Sequence, residues 1–180
     1  MKLRPMIEDD LLKVLEWRNA PEVRRNMYSS HEITENEHFQ WFKKIENDKT
    51  TVWLIFSNEK DEECGVVYFT NYSPDGGNVF WGFYAAPDAA RGVGTKMEYA
   101  ALEYAFSELR VHKLNCEVLS SNSAVINLHK KCGFEQEGCF RDFHLTGSSY
   151  EDVVRLGILE NEWRDMSDTV LERITARMSP

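Results

Sequence analysis

The sequence predicts a single α+β domain over residues 1–180: short β-rich runs alternate with amphipathic helical stripes, and a central apolar strand passes through a two-glycine turn into a helix. The β-rich runs lie at 51–56, 65–70 and 79–84 and are dense in Val, Ile, Trp, Tyr and Phe. The helical stripes follow the i, i+3, i+4, i+7 spacing, as in His38, Trp41, Phe42 and Ile45. The turn, Ala85-Ala86-Pro87-Asp88-Ala89-Ala90-Arg91-Gly92-Val93-Gly94-Thr95, joins the apolar run 79–85 to a helical run at 96–109.

Composition bounds the reading. With 180 residues, 42% hydrophobic and 12% aromatic, the chain can bury a substantial core. A net charge of −9 argues against general binding to nucleic acid or an anionic membrane. A local basic pocket remains compatible with it: Arg91, Lys96, Lys130 and Lys131 lie in two short segments that could meet around an anionic cofactor. Cys64, Cys116, Cys132 and Cys139 have neither metal-ligand spacing nor disulfide-framework density, so they read as reduced, mostly buried thiols and no metal site is expected. With no signal-peptide core and no membrane-length apolar run, a cytoplasmic location is expected.

Residues 3–6 suit a short edge strand, and Glu8-Asp9-Asp10 suit a helix start. Leu11, Val14 and Leu15 form an apolar stripe that Arg18 continues, so its guanidinium needs either a carboxylate of the fold or a bound anion. Asn19-Ala20-Pro21-Glu22 breaks the helix, leaving residues 23–30 as an irregular arm with Arg24, Arg25, Met27 and Tyr28. Thr34 and Glu37 form a capping box that opens a helix to about Glu46, with His38 on its buried or pocket-facing stripe. The runs 51–56 and 65–70 make a hairpin around 58–62, and a second turn at 73–77 leads into the strand 79–84, which has no polar face and should be central.

Beyond the helix that ends at Leu109, Leu114, Cys116 and Val118 alternate with Asn115 and Glu117, a strand with a carboxylate opposite its apolar face. Ser121-Asn122-Ser123 caps a helix whose stripe is Val125, Leu128, His129 and Cys132, closed by Gly133. Residues 134–145 and 150–159 read as two strands around 146–149, and 160–177 as an acidic amphipathic helix.

A strand that turns through two glycines into a helix leaves the first helical N–H groups convergent and unpaired, with the helix dipole behind them, a geometry suited to phosphate. No Gly-Lys-Ser/Thr ending follows, and Gly92-x-Gly94 lacks the third glycine of a dinucleotide loop. The segment Ala89-Ala90-Arg91-Gly92-Val93-Gly94 resembles the pyrophosphate loop of the GNAT acetyltransferases, Gln/Arg-x-x-Gly-x-Gly/Ala, departing from it at Ala89. Asn122 through Leu128-His129-Lys130-Lys131-Cys132-Gly133-Phe134 resembles the second GNAT motif, with His129 where the family usually has tyrosine.

The resemblance covers nearly the whole chain. It implies a mixed, mostly antiparallel seven-stranded sheet, splayed between the fourth and fifth strands, flanked by helices and holding acetyl-CoA in the split. Cofactor contacts would fall on Tyr84, Ala85, Ala86, Arg91, Gly92, Val93, Gly94, Thr95, Asn122, Asn127, His129 and Lys131. The pyrophosphate would rest on N–H groups of 91–95, and backbone N–H groups near 84–86 would pair with pantetheine and polarise the thioester. The implied reaction is direct attack of an amine on the thioester, with Glu117 as base, directly or through water, and His129 or water as acid.

For the acceptor, Leu15-Glu16-Trp17-Arg18-Asn19, Arg25-x-Met27-Tyr28 and His38-x-x-Trp41-Phe42 resemble the GNAT enzymes that acetylate UDP-4-amino-4,6-dideoxy-N-acetyl-β-L-altrosamine, a pseudaminic acid precursor used to glycosylate flagellin. That match implies substrate contacts from Arg18, Met27, Tyr28, His38, Trp41 and Tyr84. Gly147-x-x-Tyr150-x-Asp152 with Glu162-Trp163 also resembles the ribosomal-protein and spermidine branches, so a protein N-terminus or a polyamine is the alternative acceptor. A third reading, resting on Ala89 and His129, is an acetyl-CoA-binding module without turnover. Strands 134–159 could pair between subunits of a homodimer.

Overall fold

The computed structural model describes residues 1–176. Strand β1 (Lys2–Pro5) leads through a 3₁₀ turn at Glu8–Asp10 into α1 (Leu11–Asn19). The helix breaks where expected, but Pro21 opens a further short helix, α2 (Pro21–Arg24), so the irregular arm begins later than the sequence suggests. Proline sits readily at a first helical position because its fixed φ is already helical and its missing N–H would be unpaired there.

The capping box opens α3 (Glu35–Ile45): the Glu37 amide donates to Thr34 Oγ1 and the Thr34 amide to Glu37 Oε2. Strands β2 (Val52–Ser57), β3 (Glu63–Thr70) and β4 (Asn78–Ala85) follow as an antiparallel meander. Helix α4 (Val93–Glu103) starts at the glycine turn and widens into a π-helical turn at Tyr104–Glu108. Then come β5 (Lys113–Leu119), α5 (Ser123–Lys131), β6 (Glu135–Thr146), β7 (Ser149–Leu159) and α6 (Glu160–Ala176), whose expected last residue, Arg177, lies outside the described residues.

Among the described residues, seven strands make one sheet in the order β1-β2-β3-β4-β5-β7-β6, with β4 and β5 the parallel pair. That pair is bonded over a short stretch, Asn78–Lys113 to Phe80–Asn115. Beyond it the strands part, as the resemblance implies. Buried Asn115 sits at the crotch of this fork and donates from Nδ2 to the Val79 carbonyl (3.1 Å).

Apolar residues cover both faces of the sheet. Leu54, Val67, Trp81, Leu114 and Leu156 pack against α4, α5 and α6, while Ile55, Val66 and Tyr84 pack against Leu11, Val14 and Trp17 of α1 and Phe42 of α3. At the sheet edge Arg4 bridges Asp10 (Nη2 to Oδ1, 2.6 Å) and Glu63, tying β1, the 3₁₀ turn and β3. Edge strand β6 exposes Phe140, Phe143 and Leu145, and the start of β7 exposes Tyr150. Cys64, Cys116 and Cys132 are buried free thiols, as expected, whereas Cys139 is exposed on β6. No helix among the described residues is long and apolar enough to cross a membrane.

Candidate active site

On the α1 and α3 face, beside the fork, lies a cavity of about 510 Å³. Its walls come from seven separate stretches: Arg18 on α1; Met27, Tyr28 and Ser29 in the arm; Glu37, His38 and Trp41 on α3; Trp53, Tyr68 and Tyr84 on β2, β3 and β4; and Glu117 and Leu119 on β5. The fold therefore brings all six residues of the expected acceptor set together with Glu117.

Strand alternation and register build one wall. Trp53 and Tyr68 are cross-strand partners, and so are Tyr68 and Gly82. Their rings continue a ladder from α3: His38 on Trp41 (5.0 Å between centroids), Trp41 edge-on to Trp53 (4.7 Å), Trp53 on Tyr68 (4.5 Å). Tyr68 lies so close over Gly82 that a Cβ there would be 2.3 Å from its Oη. Glycine is what lets the ring lie flat beside the fork.

Polar groups at the cavity are few. Arg18 donates from Nη2 to the Ser29 carbonyl (2.8 Å) and Oγ (3.0 Å), holding the arm, and its buried Nη1 has no partner. Of the two partners the sequence allows, no carboxylate is supplied. Burial lowers the Arg18 pKa. His38 is 4% exposed and its Nε2 is unpartnered. Burial lowers its pKa against the opposing hydrogen bond to the Leu11 backbone, which favours the neutral ring.

Glu117 is held from two sides. Arg155 of β7 donates to Oε1 (3.0 Å) and Tyr28 Oη donates to Oε2 (2.9 Å). Arg155 itself stacks on Phe80, with its guanidinium carbon 4.0 Å from the ring centroid. Burial, then the Glu117 carboxylate, pushes the Tyr28 pKa upward, so the phenol is a donor to Glu117 throughout the neutral range. Glu117 thus occupies a structural ion pair and lines the cavity at once.

Across the fork lies the glycine turn. Gly92 takes the left-handed conformation (φ 90°) as the N-cap of α4, a conformation that side chains other than Asn and Asp rarely adopt. The Ala86 amide is bonded to the Cys64 carbonyl and the Val93 amide to Ala90, whereas those of Gly94 and Thr95 take no backbone partner among the described residues. Open amides at a helix start, beside two strands with an unpaired edge each, fit the pyrophosphate and pantetheine of acetyl-CoA. Arg91 in the turn and Asn127 and Lys131 on α5 are exposed, and Asn122 caps α5 by accepting from the Val125 amide. Of the expected basic cluster, Lys96 pairs with Glu59 (2.8 Å) and Lys130 with Gln136 (3.1 Å), whereas Lys131 lines a cleft with Thr95.

His129 falls elsewhere than the motif implies. It does not line the cavity with Glu117; the α5 stripe turns it into the core, where it is 2% exposed and its Nδ1 lies 2.8 Å from Glu98 Oε1. A buried carboxylate, Glu98, meets the imidazole there. Sequence reasoning passed over Trp53, Tyr68, Ser29, Arg155 and Glu98. The period-two alternation of β2 and β3 marks Trp53 and Tyr68 as sharing a face, whereas Arg155 and Glu98 carry no local signal. Among the described residues no group of three or more His, Cys, Asp or Glu could hold a metal ion.

The family description "Acetyltransferase (GNAT) domain" fits residues 1–135. The chain is 28% identical over 132 residues to acetyltransferase PseH of Campylobacter jejuni, covering 73% of this chain and 80% of that one. It is 23% identical over 165 residues to spermidine N(1)-acetyltransferase of Escherichia coli, covering 91% and 88%. In fold it matches a crystal structure of spermidine N-acetyltransferase from Vibrio cholerae in complex with CoA and spermine, with a TM-score of 0.84 at 21% identity over 91% of this chain and 97% of the other. Forked sheet, open helix start and family match agree, and the chain belongs to the GNAT acetyltransferases, N-acetyltransferases that use acetyl-CoA.

Proposed function

We propose that the protein acetylates the 4-amino group of a UDP-4-amino-4,6-dideoxy sugar such as UDP-4-amino-4,6-dideoxy-N-acetyl-β-L-altrosamine, by direct attack in a ternary complex. The observation that carries this reading is the charge distribution of the cavity. It holds a buried arginine nitrogen without a partner and a neutral histidine beside an aromatic ladder, while both of its carboxylates are already engaged. Glu37 closes the Thr34 capping box and Glu117 is paired with Arg155. A diphosphate matches Arg18, a uracil or sugar face matches the ladder, and a sugar methyl matches Met27. A polyamine would need free carboxylates for several ammonium groups.

The neutral amine attacks the thioester carbonyl carbon, and the C–S bond breaks as the tetrahedral intermediate collapses. The proton lost from nitrogen passes to Glu117, directly or through one water, with Tyr28 and Arg155 fixing the carboxylate. Because His129 is enclosed against Glu98, we assign protonation of the departing thiolate to water. The product belongs to nonulosonic acid synthesis, and we propose that exposed β6 pairs two copies, which a monomer mass in light scattering would exclude.

Spermidine N-acetyltransferases among the relatives keep the polyamine reading in play. Free-thiol release from acetyl-CoA, measured in parallel with the UDP-4-amino sugar, spermidine and a peptide N-terminus, separates the readings. Turnover with the nucleotide sugar alone is expected. Turnover confined to spermidine or the peptide would refute the acceptor, and silence with every amine despite CoA binding would favour the non-catalytic module.

A further inference from the structure

Glu98 lies on α4 one helical turn after Gly94 and is fully buried. Its partner His129 comes from α5, and the imidazole is walled by Trp81 (5.4 Å between centroids) and Phe83 (6.1 Å) of β4 and by Phe134 (5.1 Å). The thiols of Cys116 on β5 and Cys132 are the other titratable groups facing the pair. Glu98 Oε2 is buried with no hydrogen-bond partner. Stability gives little reason for such an arrangement, since apolar side chains of similar volume usually serve a core as well as a buried ion pair.

Its placement suggests another reason. Helices α4 and α5 are the continuations of β4 and β5, the two strands that part at the fork. One turn before Glu98, a Cβ on Gly94 would be 3.2 Å from Leu128 Cδ2, so the helices touch at Gly94 and Leu128 and are joined by charge at Glu98 and His129. We propose that the Glu98–His129 pair is a positioning device for acetyl-CoA: it fixes α4 against α5 and thereby sets where the Gly94 and Thr95 amides meet the pyrophosphate. This rests on the reading that those amides hold the pyrophosphate. His129 then acts through α4 and not on the reacting atoms.

Protonation is consistent with that role. Burial, the largest single influence, would lower the imidazole pKa, but the Glu98 carboxylate and the Cys116 thiol together raise it to about 10. The raised value keeps the ring charged in the fold through neutral pH; the stability this contributes is complete below the ordinary 6.5 and is lost as pH rises from there through about 10.

The test measures coenzyme A affinity by calorimetry, independently of any acceptor, in Glu98→Gln and in the double variant Glu98→Met/His129→Leu. Both are expected to fold and to bind coenzyme A about tenfold more weakly, since sub-ångström misplacement of a binding element costs affinity on that scale. Affinity within about twofold of wild type in the double variant would overturn the proposal. Loss of folding in the double variant would overturn it too, because the pair would then serve stability. For His129→Gln, a kcat collapse at saturating acetyl-CoA with unchanged coenzyme A affinity and loss of a pH limb would return the ring to the chemistry. Gly92→Val checks the underlying reading separately: unchanged coenzyme A affinity there would refute the glycine turn as the pyrophosphate seat, whatever the pair does.

Discussion

Glu117→Gln separates the chemical from the structural work of one side chain. The amide keeps the volume and one acceptor oxygen, so it can still take a hydrogen bond from Tyr28 or Arg155, but it cannot take the amine proton. Positioned general bases contribute about 10²–10⁴ in rate, which is about 3–5 kcal/mol of barrier. The structural cost should be much smaller. Side chains Glu117 and Arg155 are 24% and 21% exposed, so their pair is partly screened and worth about 1 kcal/mol or less. Arg155 also keeps its seat on Phe80 at 4.0 Å. We therefore expect kcat/KM for the acceptor to fall by about 10²–10⁴, with the melting midpoint lowered by about 2–4 °C at most. Coenzyme A affinity should be unchanged. The assay is free-thiol release against pH beside a thermal melt of the same sample. A variant within about threefold of wild type would refute Glu117 as the base, and an unfolded one would show that its pair with Arg155 is worth far more than exposed pairs usually are.

Three further outcomes follow from the same geometry. Arg18→Ala should raise the acceptor KM about 10–100-fold, the weight of a charge-assisted hydrogen bond, with acetyl-CoA KM unchanged; a lowered KM would instead indicate a cationic acceptor. Gly82→Ala would place a Cβ 2.3 Å from Tyr68 Oη. The ring must swing out of the cavity wall, at a cost of about 1–3 kcal/mol in stability and with a raised acceptor KM, and crystallographic retention of the Tyr68 position would contradict this. Asp10 titrates at about 2 against an ordinary 3.8: burial would raise it, but hydrogen bonds from Arg4 and the Ile7 amide hold it down. A depressed carboxylate stabilises the fold above its unfolded pKa and loses that contribution as pH falls from about 4 toward 2. Asp10→Asn should cost about 2 kcal/mol at pH 7 and flatten this acid limb of the unfolding curve.

What could be read locally in the sequence is what local chemistry dictates. The Thr34 and Glu37 capping box, the Asn122 cap and the Gly92 turn each satisfy backbone groups within a few residues, so they stand where the sequence puts them. Helical spacing puts His38 and Trp41 on one stripe, but the convergence of Arg18 and Tyr28 with them came only from the family resemblance. Arg155 was not accessible, since its link to Glu117 is a sheet-register fact, created when β5 pairs with β7 across a helix and a strand. The partner of His129 was hidden for a related reason: Glu98 lies on another helix and leaves no trace in the spacing. The α2 turn is ambiguous in the sequence because a proline after a helix break suits a helix start as well as a stop.

The fork at Phe80 and Asn115 bears on how the protein behaves without its co-substrate. Below the crotch, one side of β4 and one side of β5 face each other with main-chain donors and acceptors that no neighbouring strand engages, an interior equivalent of a sheet edge. A co-substrate whose arm carries two amides can serve as the missing rung on both sides, so association amounts to completing a sheet. Binding of that kind feeds directly into the unfolding equilibrium: at a hundredfold excess over its dissociation constant, acetyl-CoA should add about 2.7 kcal/mol to the stability of the fold. The amide protons along the facing sides of the two parted strands would then slow in exchange when the thioester arrives.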